Sequence, residues 1–175
     1  MEHSIARLWN SEAPQDLIYA IKLDHESLKD LIKILKDPKQ PNPKKQVAFV
    51  RFRSLLLSHS KAEEKALYTL SRNLKGLELK TDEGHVEHQV TEDLLKKIKP
   101  LSSTSNTRHW KAQLQVLADL VEHHLKEEER DLLPVVRRRI DVKTNEARCK
   151  LFIRLRTSTQ KKLSTRNAGA LESRL

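Results

Sequence analysis

Glycine occurs three times in 175 residues, cysteine and methionine once each, and aromatic residues make up 4% of the chain. So few glycines make little provision for tight hairpin turns, and no segment alternates Val, Ile, Phe or Tyr with polar residues, so a sheet is not expected. Cys149 has no second cysteine for an internal disulfide and no Cys or His near it at zinc-site spacing. That argues against a zinc ribbon or thiol-redox chemistry and fits a reducing compartment. No apolar run approaches the ~20 residues that span a bilayer. The opening segment MEHSIARLWNSEAP lacks the basic head and apolar stretch of a signal peptide. The expectation is a soluble cytoplasmic protein that does not engage a membrane.

Leu, Lys, Glu, Arg and Ala dominate instead, and their intrinsic propensity favours helix almost throughout, which predicts an all-α fold. The formal charge of +10 is unevenly placed: residues 137–175 hold 12 of the 34 Lys and Arg but 3 of the 24 Asp and Glu, leaving residues 1–136 nearly neutral. An electrostatic DNA-binding surface over the body of the protein is therefore excluded. Polyanion or nucleic-acid binding remains an alternative for the basic segment Arg137 to Arg166. A solvated tail is favoured there, since Phe152 is its one aromatic residue for stacking on bases.

Helical periodicity organises residues 1–136. A first helix starts near Pro14 and stops at Pro38, with Ile18, Ile21, His25, Leu28, Ile32 and Leu35 on one stripe. A second follows Asn42-Pro43 and carries Phe52, Leu56, His59, Glu63, Leu67 and Leu70. Thr81 or Asp82 can cap a third, with His88, Thr91, Leu95 and Ile98 inward. After the polar loop SSTSNT a fourth presents Trp110, Leu114, Leu117, Val121, His124 and Glu128. Four amphipathic helices with short connections predict an up-down-up-down bundle over residues 1–136. Residues 137–175 form a basic extension, expected to be partly helical with a disordered end.

Every one of these stripes carries an inward histidine, and two add a glutamate four residues on, so His59/Glu63 and His124/Glu128 each set an imidazole beside a carboxylate. Two carboxylates inside a Leu/Val/Ile core, with no Lys or Arg on the same stripes, cost several kcal/mol each unless a cation neutralises them. Mixed imidazole and carboxylate donors suit iron or manganese better than copper(I) or a structural zinc. Glu127 and Glu129 are expected to face solvent, as is His123, and His3 and His109 lie off the stripes. A ferritin-type centre is disfavoured, because no Glu stands three residues before any histidine.

The four segments LDHESLKDL, LLLSHSKAEEKALY, VEHQVTEDLL and LVEHHLKEEERDLLP, in this order and spacing, resemble the hemerythrin-like, or HHE cation-binding, family. The resemblance implies an oxo- or hydroxo-bridged pair of iron ions, for which manganese or zinc could substitute. Glu63 and Glu128 would bridge them, with His25, His59, His88 and His124 as terminal ligands. It implies O2, NO or peroxide as the small partner, in oxygen carriage, sensing, iron handling or repair of damaged iron–sulfur centres. The sequence departs from the oxygen-carrier pattern, which has a histidine four residues before His88, where this chain has Gly84. His85 is the candidate substitute, and Glu64 a weaker one. A four-histidine site leaves open positions, which favour a reactive or iron-handling centre over a carrier.

Overall fold

The structure is a computed structural model that describes residues 15–99 and 107–172, with side chains as far as Thr165. Among the described residues there is helix and no strand. Helix α1 (Leu17–Lys36) starts under Asp16, whose carboxylate accepts from the Tyr19 N–H at 2.7 Å. Pro14, the expected start, lies outside the described residues. Helix α2 (Asn42–Glu63) begins with proline in its first turn and runs on through a π-helical turn, Glu64–Tyr68, into Thr69–Ser71. Helix α3 spans Glu78–Lys97 and α4 spans Thr107–Glu127, the latter continuing through a second π turn, Glu128–Leu132, into Leu133–Arg139. Helix α5 covers Val142–Glu172. No helix among the described residues is long and apolar enough to cross a membrane.

The start of α3 differs from the expected cap at Thr81 or Asp82. Gly76, at φ +85°, ends the preceding segment in the left-handed region that favours glycine, and its N–H donates to the Glu78 carboxylate at 2.7 Å. The helix therefore begins a turn earlier, behind Leu77. Thr81 is buried instead, its hydroxyl 2.7 Å from the Leu77 carbonyl and 2.8 Å from Ser71 Oγ. His85 consequently sits in the second turn of α3 and not the first.

Cross-helix bonds fix the directions. Lys45 Nζ donates to the Leu35 carbonyl at 2.7 Å, which ties the start of α2 to the end of α1, and Ser71 to Thr81 ties the end of α2 to the start of α3. His25 pairs with Glu129 and Lys36 with Asp119, so α1 and α4 are also antiparallel. The core has two parts. Phe49, Phe52, Leu56, Leu95, Trp110 and Leu114 belong to one apolar cluster, and Ile18, Ile21, Ala62, Leu67, Leu132 and Phe152 to the other. Each fully buried Leu, Ile or Phe contributes roughly 1.5–3 kcal/mol by leaving water. Between the clusters runs a polar layer.

Helix α5 packs across α1 and α2 and buries Cys149 and Phe152. Its start is sewn to that of α1: Asn145 Oδ1 accepts from the Leu17 N–H at 2.9 Å, and its Nδ2 donates to Asp16 at 3.2 Å. The helix runs to Glu172 across the stretch expected to be disordered. Extending a helix already anchored at one end needs no new nucleus.

Candidate metal centre

The polar layer contains the six residues singled out from sequence: His25, His59, Glu63, His88, His124 and Glu128, none more than 4% exposed. Both glutamates stand at π turns. Glu63 is the last residue before Glu64–Tyr68, and Glu128 is the first of Glu128–Leu132. The extra residue in such a turn re-registers the helix, and π turns concentrate at functional sites. Here they let Tyr68, five residues beyond Glu63, return to the interior.

Two groups of donors emerge. His25, His59 and Glu63 lie together, as do Glu63, His88 and His124, with Glu63 common to both. Glu63 Oε2 is 3.2 Å from His59 Nε2 and 3.6 Å from His88 Nε2. Glu128 Oε2 spans the other two histidines, 3.6 Å from His25 Nε2 and 3.7 Å from His124 Nε2. These are the separations of neighbouring donors around cations bound at roughly 2.1 Å. They are not hydrogen bonds: His25 Nε2, both nitrogens of His59, both oxygens of Glu63 and Glu128 Oε2 are buried without a hydrogen-bond partner. Orphaned buried atoms of this kind are rare in folded proteins, and cations placed between them would satisfy those that face inward, His59 Nδ1 being turned toward Asp24 instead. His88 Nε2 and His124 Nε2 face each other at 3.1 Å, so at most one proton fits between them, and a cation can take its place. The residues present therefore fit two cations.

The outer nitrogens show an order that the stripes did not reveal. His59 Nδ1 lies 3.4 Å from Asp24, His88 Nδ1 3.2 Å from Glu64, His124 Nδ1 2.6 Å from Glu87, and His25 Nδ1 2.9 Å from Glu129. Each carboxylate is next in sequence to a candidate ligand on its own helix but serves the histidine of another: α1 to α2, α2 to α3, α3 to α4, and α4 back to α1. This closed ring fixes which nitrogen of each imidazole faces inward. Glu129, expected in solvent, is a ring member, further held by Lys29 at 2.8 Å. A position next to a ligand is turned about 100° around the helix, toward the neighbouring helix rather than toward water. His85 does not join the layer. Its ring meets Glu64 at 3.5 Å and Gln89 at 3.2 Å, with its side chain 38% exposed. His123 is exposed, and His3 lies outside the described residues.

Charge is unevenly shared. Burial pushes the Glu128 carboxyl up to about 7, with the charge of Glu63 adding to it. Burial pushes Glu63 up as well, but the His59 imidazolium outweighs it and holds Glu63 at about 2. Burial pulls His59 down, yet Glu63 and Asp24 prevail and lift it to about 10. Burial lowers His25 and His88, which favours their neutral, electron-donating forms. In the metal-free protein the layer thus balances itself with protons, which incoming cations would displace.

Gly84, at the place of the missing carrier histidine, is explained by Tyr68. A Cβ on Gly84 would lie 2.5 Å from Tyr68 Oη and 3.0 Å from Cζ. The phenol stacks on His88, centroids 5.2 Å apart, and donates to Glu128 Oε1 at 2.7 Å. Tyr68 occupies the space a fifth histidine would need.

A DNA nickase from Nostoc sp. (strain PCC 7120 / SAG 25.82 / UTEX 2576) is 29% identical to this chain over 150 residues, 86% of the chain. The chain spans 42% of the length of that relative. No solved structure matches. The Hemerythrin HHE cation binding domain profile matches residues 16–136, all of α1 to α4 with every histidine and carboxylate of the layer, and the chain belongs to that family.

Proposed function

We propose that the chain holds two iron ions in the polar layer and senses or reacts with O2, NO or peroxide, or handles iron. The observation that carries this reading is the sharing of Glu63 between two three-donor groups, with Glu128 spanning the remaining histidines. A pair of irons, when bound, supplies electron transfer toward small oxidants. The chain's residues do the rest. The carboxylate ring orients the four imidazoles, the two apolar clusters exclude water, and Tyr68 keeps a hydroxyl proton at Glu128 Oε1. A phenol in place of a fifth imidazole favours reaction over reversible carriage. Anaerobic reconstitution with ferrous ion is expected to give two irons per chain, and His59→Ala or Glu128→Ala to lower that number. Wild-type protein that stays iron-free sinks the reading.

A second reading, binding of nucleic acid or another polyanion, draws on α5. Lys143, Lys150, Arg154 and Lys161 are exposed there at helical spacings of seven, four and seven, with the partly exposed Glu146 beside the first two. The name of the Nostoc relative, DNA nickase, adds to it. Four phosphate contacts would give a slope of log affinity against log salt of roughly −3.6 on duplex DNA. The variant Lys150→Glu/Arg154→Glu is expected to lose about half of that slope; a salt-insensitive interaction excludes the reading. Because α5 packs on the bundle, these surface changes are a cleaner test than deleting the segment.

A further inference from the structure

Helix α5 lies beyond residues 16–136 of the family match, yet it touches the polar layer. Phe152, 1% exposed, sets its ring edge-on to His59, with centroids 5.8 Å apart and an interplanar angle of 82°. One turn on, Arg156 Nε donates to Asp24 Oδ2 at 2.6 Å. That same oxygen lies 3.4 Å from His59 Nδ1. Asp24 is 3% exposed, so its charge needs a partner inside the protein, and Arg156 is the cation that meets it. The three groups form a line from α5 through α1 to the imidazole on α2. It leaves Nε2 of His59 directed at Glu63, 3.2 Å away.

The other three ring carboxylates do without α5. Glu129 is held by Lys29 of α1, while Glu64 and Glu87 are partly exposed and face their histidines across the α2/α3 and α3/α4 interfaces. Among the described residues, the contacts of the extension with the layer reach His59 and its carboxylate Asp24, on the side of the His25/His59/Glu63 group.

We propose that Arg156 is a positioning residue for the His25/His59 cation position, so that α5 completes one of the two positions and leaves the other untouched. The proposal rests on the two-cation reading. Arg156 fixes Asp24, Asp24 opposite Nδ1 holds the orientation of the His59 imidazole, and Phe152 closes that face to water. Loss of a group that orients a metal ligand typically weakens binding about 10–100-fold.

The test is titration of metal-free, full-length protein with ferrous ion under anaerobic conditions, comparing wild type with Arg156→Gln, Arg156→Lys and Asp24→Asn. Wild type is expected to take up two equivalents. Arg156→Gln should weaken one of them about 10–100-fold and leave the other unchanged, and Arg156→Lys should restore most of the loss. Asp24→Asn should weaken the same equivalent, and it carries the test should the glutamine variant not fold. General destabilisation would weaken both equivalents together, and lysine would not selectively rescue one of them. Two equivalents in wild type with two undiminished in both Arg156→Gln and Asp24→Asn, or equal weakening of both, overturns the proposal alone. Fewer than two equivalents in wild type overturns the two-cation reading and the proposal with it.

Discussion

Glu63→Ala is expected to abolish cation binding at both positions together. The carboxylate is fully buried and stands within 3.2 Å of His59 Nε2 and 3.6 Å of His88 Nε2, so its loss takes the shared anion from both donor groups. Two divalent cations would then lie close together with Glu128 as the one inner carboxylate, and repulsion in a low-dielectric interior would go largely uncompensated. Removing a single histidine strips one group and spares the other. The metal-free variant should also be less stable, by about 3 kcal/mol, because the buried His59 imidazolium loses its nearest counter-charge. The decisive quantity is therefore the increment that metal adds. At a free metal concentration near a thousand times Kd, wild type should gain about 4 kcal/mol for each cation bound, and Glu63→Ala almost nothing. Metal analysis with thermal unfolding in the presence and absence of ferrous ion measures both. A variant that keeps one full equivalent shows that Glu63 is not shared.

Gly84→Ala should destabilise the protein, although alanine in mid-helix is worth about 1 kcal/mol over glycine. The new Cβ would meet Tyr68 Oη at 2.5 Å. The phenol cannot simply yield, being 2% exposed, stacked on His88 and bonded to Glu128. Overpacking of this kind costs about 1–3 kcal/mol, and moving the ring also forfeits a charge-assisted hydrogen bond worth about 1.5–3 kcal/mol. In a Tyr68→Ala background the obstacle is gone, so the same Gly84→Ala change should become stabilising by up to about 1 kcal/mol. The reversal of sign in a double-mutant cycle, read by denaturant unfolding, isolates the contact. Equal effects in both backgrounds would show that Tyr68 does not set the need for glycine.

The bundle and the six inward donors were legible because burial and helical period act together: residues four apart share a face, and an inward charge among leucines needs a reason. The carboxylate ring was not legible. Asp24, Glu64, Glu87 and Glu129 each adjoin a donor in sequence, where an acid reads as the solvated flank of a helix, and their partners lie on other helices. Tyr68 escaped because an α-helical wheel turns a residue five beyond Glu63 well off the stripe, and only the π turn brings it back. The role of α5 was hidden differently. Leu151, Ile153 and Leu155 are apolar residues of this segment that are only partly buried, whereas the buried ones are Cys149 and Phe152, three apart, and Arg156 follows four later.

The division of the core also has a consequence for how the molecule opens. A layer of ionisable groups between two apolar clusters is a poor transmitter of packing, since it contributes protons and orphaned atoms where a continuous core would contribute contacts. Each cluster can loosen with limited penalty to the other, which is the physical basis of separate cooperative units within one domain. Ions bound across the layer would tie all four helices at one level and merge the two units. The centre would then act as a rivet as well as a reagent, and loss of metal would first show as a domain that melts in two halves.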